Sequence, residues 1–387
     1  MRLIFLVLKF NFATGGGSSY ELDTKIRALI GRGHTATVVT LFSKQNSFPP
    51  NLPYSVIEES ANSLGLLDLQ MTAYRALNKY TDQADAFYLE GQFGYGGGWY
   101  RLRGGRTPVM VHFNRELSSF PASTRQADAP RPFLLKPKLR FMLERLIGFP
   151  LMNLNNLFTF TSPILRDLYI KYGLARKKTL IVPDFFDSHE LQKKINTSEV
   201  LKSRAEQKAV WTIICGGRMV KEKGFDIVIR ALASVKNPEQ FRLIITGSGP
   251  EEANLKQLAL DLKIDSLVNF PGWLEREEAY RLFQQADIFV VPRWRPELTS
   301  MLVLEAMAFM VPYIVTKDTA LAWQAGDSAL KFADENYTEL AEQIELLVHD
   351  PELRVRIVER GLRKLAELDS TALIAGLDVA LLELIKK

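Results

Sequence analysis

Short apolar runs alternate with amphipathic stretches along most of the chain. Residues 3–8 (LIFLVL) are apolar at every position, which predicts a strand buried on both faces rather than one with a wet side. A glycine–serine loop at 15–19 follows, then a helical pattern over 20–31, a turn at Gly33 and His34, and a second strand over 35–41. Further short strands read at 86–90, 108–113, 157–161 and 179–182. A second series has strands at 210–215, 242–246, 268–270, 288–292 and 313–316. Its helices read at 225–235, 251–262 and 276–286. From 338 to 387 apolar residues recur at three- and four-residue spacing, so the tail is helical. This rhythm predicts an α/β protein of parallel βαβ units, with ligands gathering at the carboxyl ends of the strands.

At 387 residues the chain exceeds the size at which one core stops growing. The polar stretch 187–207 has no strong strand character and is read as the interdomain linker. The expected division is a first domain over 1–190, a second over 191–369, and a last helix, 370–387, that packs back on the first. Hydrophobic content of 47% and charged content of 24% are those of a globular protein. The one cysteine, Cys215, lies in an apolar run and has no internal partner, which points to a reducing, cytoplasmic setting. Residues 1–10 begin like a signal peptide, but the apolar core is short and Lys9 follows it, so they read as a buried strand.

Charge changes the picture of the first half. Residues 1–190 hold 23 Lys and Arg against 15 Asp and Glu, a net +8, whereas 191–387 hold 26 against 29, a net −3. Arg101, Arg103 and Arg106 form one cluster; Arg131, Lys136, Lys138, Arg140 and Arg145 form another, interleaved with Leu, Phe and Ile over 131–154. Such a segment suits an anionic membrane surface, and equally an amphipathic helix with a solvated basic face. Nucleic acid is not expected, because the cluster lacks exposed aromatic stacking residues.

The candidate chemistry sits in strand-end loops of the second half. Arg218 follows a strand and Lys223 precedes a helix, with glycines on both sides, an arrangement that suits a diphosphate. Gly247 and Gly249 also open a helix, although GxG recurs in ordinary βα turns and the sixth position of the dinucleotide fingerprint is Glu252. Trp273, in the next loop, is a candidate to flank a nucleobase or else a core residue. In 293–316 two carboxylates, Glu297 and Glu305, bracket a helix start at which Thr299 and Ser300 can cap, with the helix running 301–310 to a stop at Pro312. Glu305 would lie about 7 Å beyond that start at roughly 1.5 Å per residue. Unpaired amides there suit phosphate or sugar oxygens, and carboxylates accept from paired hydroxyls. Of the histidines only His112 ends an apolar strand, as a core residue or a site residue. No HExxH, spaced Cys/His set or Walker sequence occurs, so neither a metal nor a cofactor is expected.

Taken together, Gly217-Arg218 with Lys223-Gly224, Thr246 to Pro250 (TGSGP), Phe270 with Gly272, Ala286-Asp287, Val291-Pro292, and Glu297 with Glu305-Ala306-Met307-Ala308 resemble the nucleotide-sugar half of a family 4 glycosyltransferase. The first half resembles the family more loosely, through the loop at 15–17, His112, and Thr161-Ser162 ahead of Val182-Pro183. The resemblance implies a GT-B fold, two Rossmann-like domains facing each other across a cleft, and transfer with retention of anomeric configuration. It implies that Glu305 grips ribose hydroxyls and Glu297 the donor sugar, and that Arg218 and Lys223 hold the diphosphate. The amides of Thr299, Ser300 and Met301 would face sugar and phosphate. Gly247, Gly249 and Trp273 would belong to the donor site, and Gly16, Gly17 and His112 would line the cleft near the transferred sugar.

The chain departs from the family pattern at Leu298-Thr299-Ser300 in place of Pro-Phe-Gly, at Asp184-Phe185-Phe186-Asp187, at Phe309-Met310, and at Phe113, where an acidic neighbour of His112 is usual. The expected function is a retaining, metal-independent glycosyltransferase using a nucleotide-sugar donor and a glycan or glycolipid acceptor, in the cytoplasm or peripheral at the inner face of a membrane. A nucleotide-sugar epimerase of the same architecture and a non-catalytic sugar-nucleotide binding subunit remain as alternatives.

Overall fold

The apolar run at the start of the chain becomes the middle of a sheet. The structure, a computed structural model, describes residues 1–12, 17–59, 61, 65–117, 137–193, 195–292 and 298–386. One compact unit comprises Met1–Phe186 and Ser370–Lys387, the other Asp187–Asp369, so the division falls at 186/187 rather than at 190/191.

The first unit runs β1 (Arg2–Val7), α1 (Gly17–Gly31), β2 (Thr35–Thr40), β3 (Ser55–Glu58), α2 (Leu66–Tyr80), β4 (Ala86–Glu90), α3 (Gly94–Leu102), β5 (Val109–Phe113), α4 (Pro137–Leu143), α5 (Phe149–Met152), β6 (Leu157–Phe160), α6 (Pro163–Lys171) and β7 (Thr179–Ile181). All seven strands are parallel, in the order β3-β2-β1-β4-β5-β6-β7. On β1, Ile4 and Leu6 enter the core on one face and Leu3, Phe5 and Val7 the core on the other, which accounts for the unbroken apolar run. The chain reverses direction of growth between β1 and β4, the switch point at whose carboxyl edge α/β sheets bind ligands.

Helix α3 was not legible as one, since GYGGGWYRL carries four glycines, each costing about 1 kcal/mol relative to alanine in a helix. Close packing requires them. A Cβ on Gly98 would stand 2.0 Å from the Leu151 carbonyl oxygen and one on Gly96 2.8 Å from that of Gln70.

The second unit runs α7 (His189–Gln192), α8 (Thr197–Ala205), β8 (Trp211–Gly216), α9 (Phe225–Ser234), β9 (Phe241–Thr246), α10 (Glu252–Asp261), β10 (Val268–Gly272), α11 (Arg276–Gln285), β11 (Ile288–Val291), α12 (Met301–Ala308), β12 (Tyr313–Thr316), α13 (Ala320–Ala325), β13 (Leu330–Phe332), α14 (Tyr337–His349) and α15 (Pro351–Leu368). Its parallel order is β10-β9-β8-β11-β12-β13, with the switch point between β8 and β11. The stretch read as a linker is in part helix α8. Its Arg204 is buried and donates to the carbonyls of Met310 and Ala286 at 2.8 and 2.7 Å. Finally α16 (Ser370–Ile385) packs on α1, where Asp378 meets Arg32 and, at 2.8 Å, His34. Among the described residues no helix is long and apolar enough to cross a membrane.

Candidate functional site

In the second unit the loops leaving β8, β9 and β10 are laced together by their backbones. Gly217 N–H donates to Thr246 O at 3.0 Å, Met219 N–H to Ser248 O at 2.8 Å, and Gly247 N–H to Gly272 O at 2.7 Å. Gly247 has φ +110, and a Cβ there would lie 2.0 Å from the Gly217 carbonyl oxygen; one on Gly249 would lie 2.3 Å from that of Met219. These glycines are spacers that let one loop stack on another, a role independent of any phosphate.

The stacked loops hold Arg218 exposed and Lys223 half-buried. Gly224, left-handed at φ 65, turns the short 3-10 helix Lys221–Lys223 into α9. That brings the Lys223 ammonium back over Gly217, 3.5 Å from where a Cβ would stand. Burial, and then repulsion from Arg218, push the Lys223 ammonium down to about 7. Arg218 and Lys223 thus lie close enough on one loop for the charge of one to depress that of the other.

At the start of α12 the structure corrects the capping expectation. Ser300 takes the cap position without a side-chain cap bond, and its amide donates to Gln324 Oε1 at 3.0 Å, so that amide is already engaged. The helix stops at Ala308, where Met310 adopts φ 54, a left-handed end that favours glycine. This explains the residue type that the family resemblance leads one to expect there. Glu305, half-buried on α12, is pushed up to about 7 by burial, opposed by Arg276. Arg276 packs its guanidinium over Tyr280, whose ring lies 5.1 Å from Phe309. Neither Arg276 nor Gln324 was singled out from the sequence, because no local pattern announces a partner 24 or more positions away. Trp273 is exposed. Glu297 and Gly16 lie outside the described residues, as do residues 131–136 of the basic apolar stretch.

In the first unit the carboxyl ends of β4 and β5 gather a polar cluster under α1. His112 pairs in register with Glu90 across the two strands and is 4% exposed. Its Nδ1 shares a hydrogen bond with Thr159 Oγ1 at 2.9 Å, and its Nε2 has no partner among the described residues. Burial, and then the charge of Lys25, hold the imidazole well below its usual range, so it is neutral near pH 7. Lys25 is fully buried, paired with Glu21 at 2.7 Å and donating to Tyr88 Oη at 2.8 Å. Glu90 accepts from Leu8 N–H at 3.0 Å and from Gln92 at 2.9 Å, and burial raises its carboxyl. Gly17 begins α1, beside this cluster in sequence. Of the cluster only His112 was legible, as the polar end of an apolar strand. Lys25 and Glu21 are the i and i+4 pair of an ordinary-looking helix.

Among the described residues no group of three His, Cys, Asp or Glu is arranged to hold a metal ion. Residues 196–364 match the family model of glycosyl transferases group 1. The chain is 31% identical over 147 residues to the lipopolysaccharide core biosynthesis glycosyltransferase LpsE of Rhizobium meliloti, covering 38% of this chain and 42% of LpsE. It is 25% identical over 254 residues to the alpha-monoglucosyldiacylglycerol synthase of Streptococcus pneumoniae, covering 62% and 55%. The chain thus spans about half the length of the curated relatives it matches. HepE of Anabaena, solved in complex with UDP, superposes with a TM-score of 0.75 at 18% identity over 99% of this chain and 100% of that one. Sucrose-phosphate synthase of Thermosynechococcus elongatus gives 0.75 at 17% over 100% of both. The match to the group 1 glycosyl transferase model is thus confined to residues 196–364, and the two Rossmann-like units have the GT-B fold.

Proposed function

We propose that this protein is a retaining glycosyltransferase that moves a sugar from a nucleoside diphosphate sugar to a glycan or glycolipid acceptor, without a metal ion, in the cytoplasm or at the inner face of a membrane. The observation that carries the reading is the pair Arg218 and Lys223 on one strand-end loop, with Lys223 set near 7 so that a diphosphate restores its charge. Breaking a sugar–phosphate bond places negative charge on the leaving phosphate, and two fixed cations stabilise it as it develops. Glu305 accepts hydrogen bonds from the ribose hydroxyls, and Glu297, which precedes α12 in sequence, from those of the sugar. His112, neutral in the first unit, is suited to offering a hydrogen bond rather than a proton. The departing phosphate then accepts the acceptor's proton on the face it has just left, which retains configuration.

Relatives named for lipopolysaccharide core and glucosyldiacylglycerol synthesis support an acceptor of the glycan or glycolipid class, and the UDP held by HepE supports a nucleoside diphosphate donor. The test is a panel of UDP-, GDP- and dTDP-sugars with chelator present, scored for released diphosphate and for the anomeric configuration of the product. Release with retention supports the reading. Epimerised nucleotide sugar, or tight binding with no turnover, would replace it with one of the two alternatives.

A further inference from the structure

The helical segment after β5 is turned inside out on one side. Along α4 and the wide π-helical turn Glu144–Gly148 that continues it, Leu139, Met142, Leu143, Leu146 and Ile147 are all exposed, the last two at 66% and 64%. Their spacing of three and four residues makes them one stripe of the helix surface. The opposite stripe is already satisfied. Phe141 stacks edge-on against Tyr172 at 4.9 Å, Glu144 and Phe149 are buried, and Gly148 admits the ring of Tyr95. An ordinary amphipathic helix exposes charge on the stripe that here is leucine, methionine and isoleucine.

The exposed apolar surface continues onto α3. That helix lies against α5 through Gly98 and Leu151 and ends on Trp99 and Leu102, 39% and 62% exposed. The exposed charges of these elements and of the segment through β7 are mostly cations: Arg103, whose guanidinium lies 5.9 Å from the Trp99 ring centre, with Arg106, Arg145, Lys171, Arg176 and Lys177. Between residues 94 and 117 and between 139 and 178 there are three carboxylates; Glu116 and Glu144 are buried and Asp167 is paired with Arg166 and Arg176.

The geometry points to an anionic phospholipid surface as the partner of this face. Leucine, isoleucine and tryptophan side chains enter the acyl boundary, and the surrounding arginines and lysines meet the headgroup phosphates. The charge asymmetry selects lipid over a second copy of the chain, since two such faces brought together would repel. The inference deepens the proposed glycolipid acceptor by giving the surface on which an acceptor held in a bilayer would be met. It is tested without turnover, so either reading can fail alone.

The measurement is co-sedimentation of the full chain with vesicles of phosphatidylcholine, with and without phosphatidylglycerol. We expect binding only to the anionic vesicles, weakening as salt is raised. Arg103→Gln with Arg106→Gln and Arg145→Gln should weaken partition by about 100-fold, and Leu146→Ser with Ile147→Ser by at least about 10-fold. Unchanged thermal melting and unchanged nucleoside diphosphate binding establish that each variant is folded. Equal binding to neutral vesicles, folded variants that bind as well as the parent, or a concentration-dependent dimer abolished by the serine pair would each overturn the proposal.

Discussion

The Lys223 ammonium stands over Gly217, 3.5 Å from where a Cβ on that glycine would be, and burial, then Arg218, the next residue, depress its charge. A carboxylate of opposite tendency, Glu305, sits in the same unit and is pushed up to about 7, where Lys223 is pushed down to about 7. In the free protein the raised Glu305 contributes stability that is full below its ordinary 4.5 and lost as pH rises through about 7. The depressed Lys223 contributes stability that is full above its ordinary 10.5 and lost as pH falls through about 7. Glu305 therefore costs most above about 7 and Lys223 below it, so their combined cost peaks near neutrality, where a ligand with a diphosphate and a ribose would relieve both.

Affinity for a nucleoside diphosphate should peak near neutral pH. Below about 7 Glu305 must release a proton to accept from hydroxyls, and above about 7 Lys223 must take one up to meet phosphate. Titration calorimetry in buffers of different ionisation enthalpy should show net proton release on the acid side and net uptake on the alkaline side. Glu305→Gln should abolish the release, keep the uptake and raise the melting temperature near pH 7. A flat profile without proton exchange would rule out both assignments.

The glycines of the stacked loops differ in what they do. Gly272→Ala meets nothing within 4 Å and suffers only its positive φ of 82, about 1–2 kcal/mol. Gly247→Ala adds a Cβ 2.0 Å from a backbone carbonyl that is itself pinned in the loop, so it should cost several times more. Denaturant unfolding compares the two. Equal costs would show that the loops are not stacked as described.

In the first unit the pair Lys25 and Glu21 should behave as a buried ion pair. Lys25→Met strands the Glu21 carboxylate and should cost about 3–5 kcal/mol, whereas Lys25→Met with Glu21→Gln should recover much of the loss. Denaturant unfolding of the full double-mutant cycle gives the coupling directly. If the double variant is as unstable as the sum of the singles, the two side chains do not act as a pair.

The βα rhythm was legible because each inner strand is an apolar run, and the unbroken run of β1 reflects two buried faces. The strands that escaped notice, β3 and β13, are short and only partly buried, with no periodic signal to find. Helix α3 was hidden because contact with Gln70, Leu151 and Asn155 overrides the helix penalty of its glycines, and such contacts are not local in sequence. The site followed the same logic. Arg218, Lys223 and Glu305 were legible from glycine punctuation and helix starts, whereas Arg276, Gln324, Lys25 and Glu90 matter through partners that only the fold supplies.

The central claim is that Arg218 and Lys223 hold the outer phosphate of a nucleoside diphosphate, and it is tested most directly by comparing that diphosphate with its monophosphate on the Arg218→Ala, Lys223→Met double variant. The parent should bind the diphosphate far more tightly. The variant should bind the monophosphate as the parent does, lose the preference for the diphosphate, and lose turnover by at least about 100- to 1,000-fold. A variant that keeps the diphosphate preference and the turnover would contradict the account.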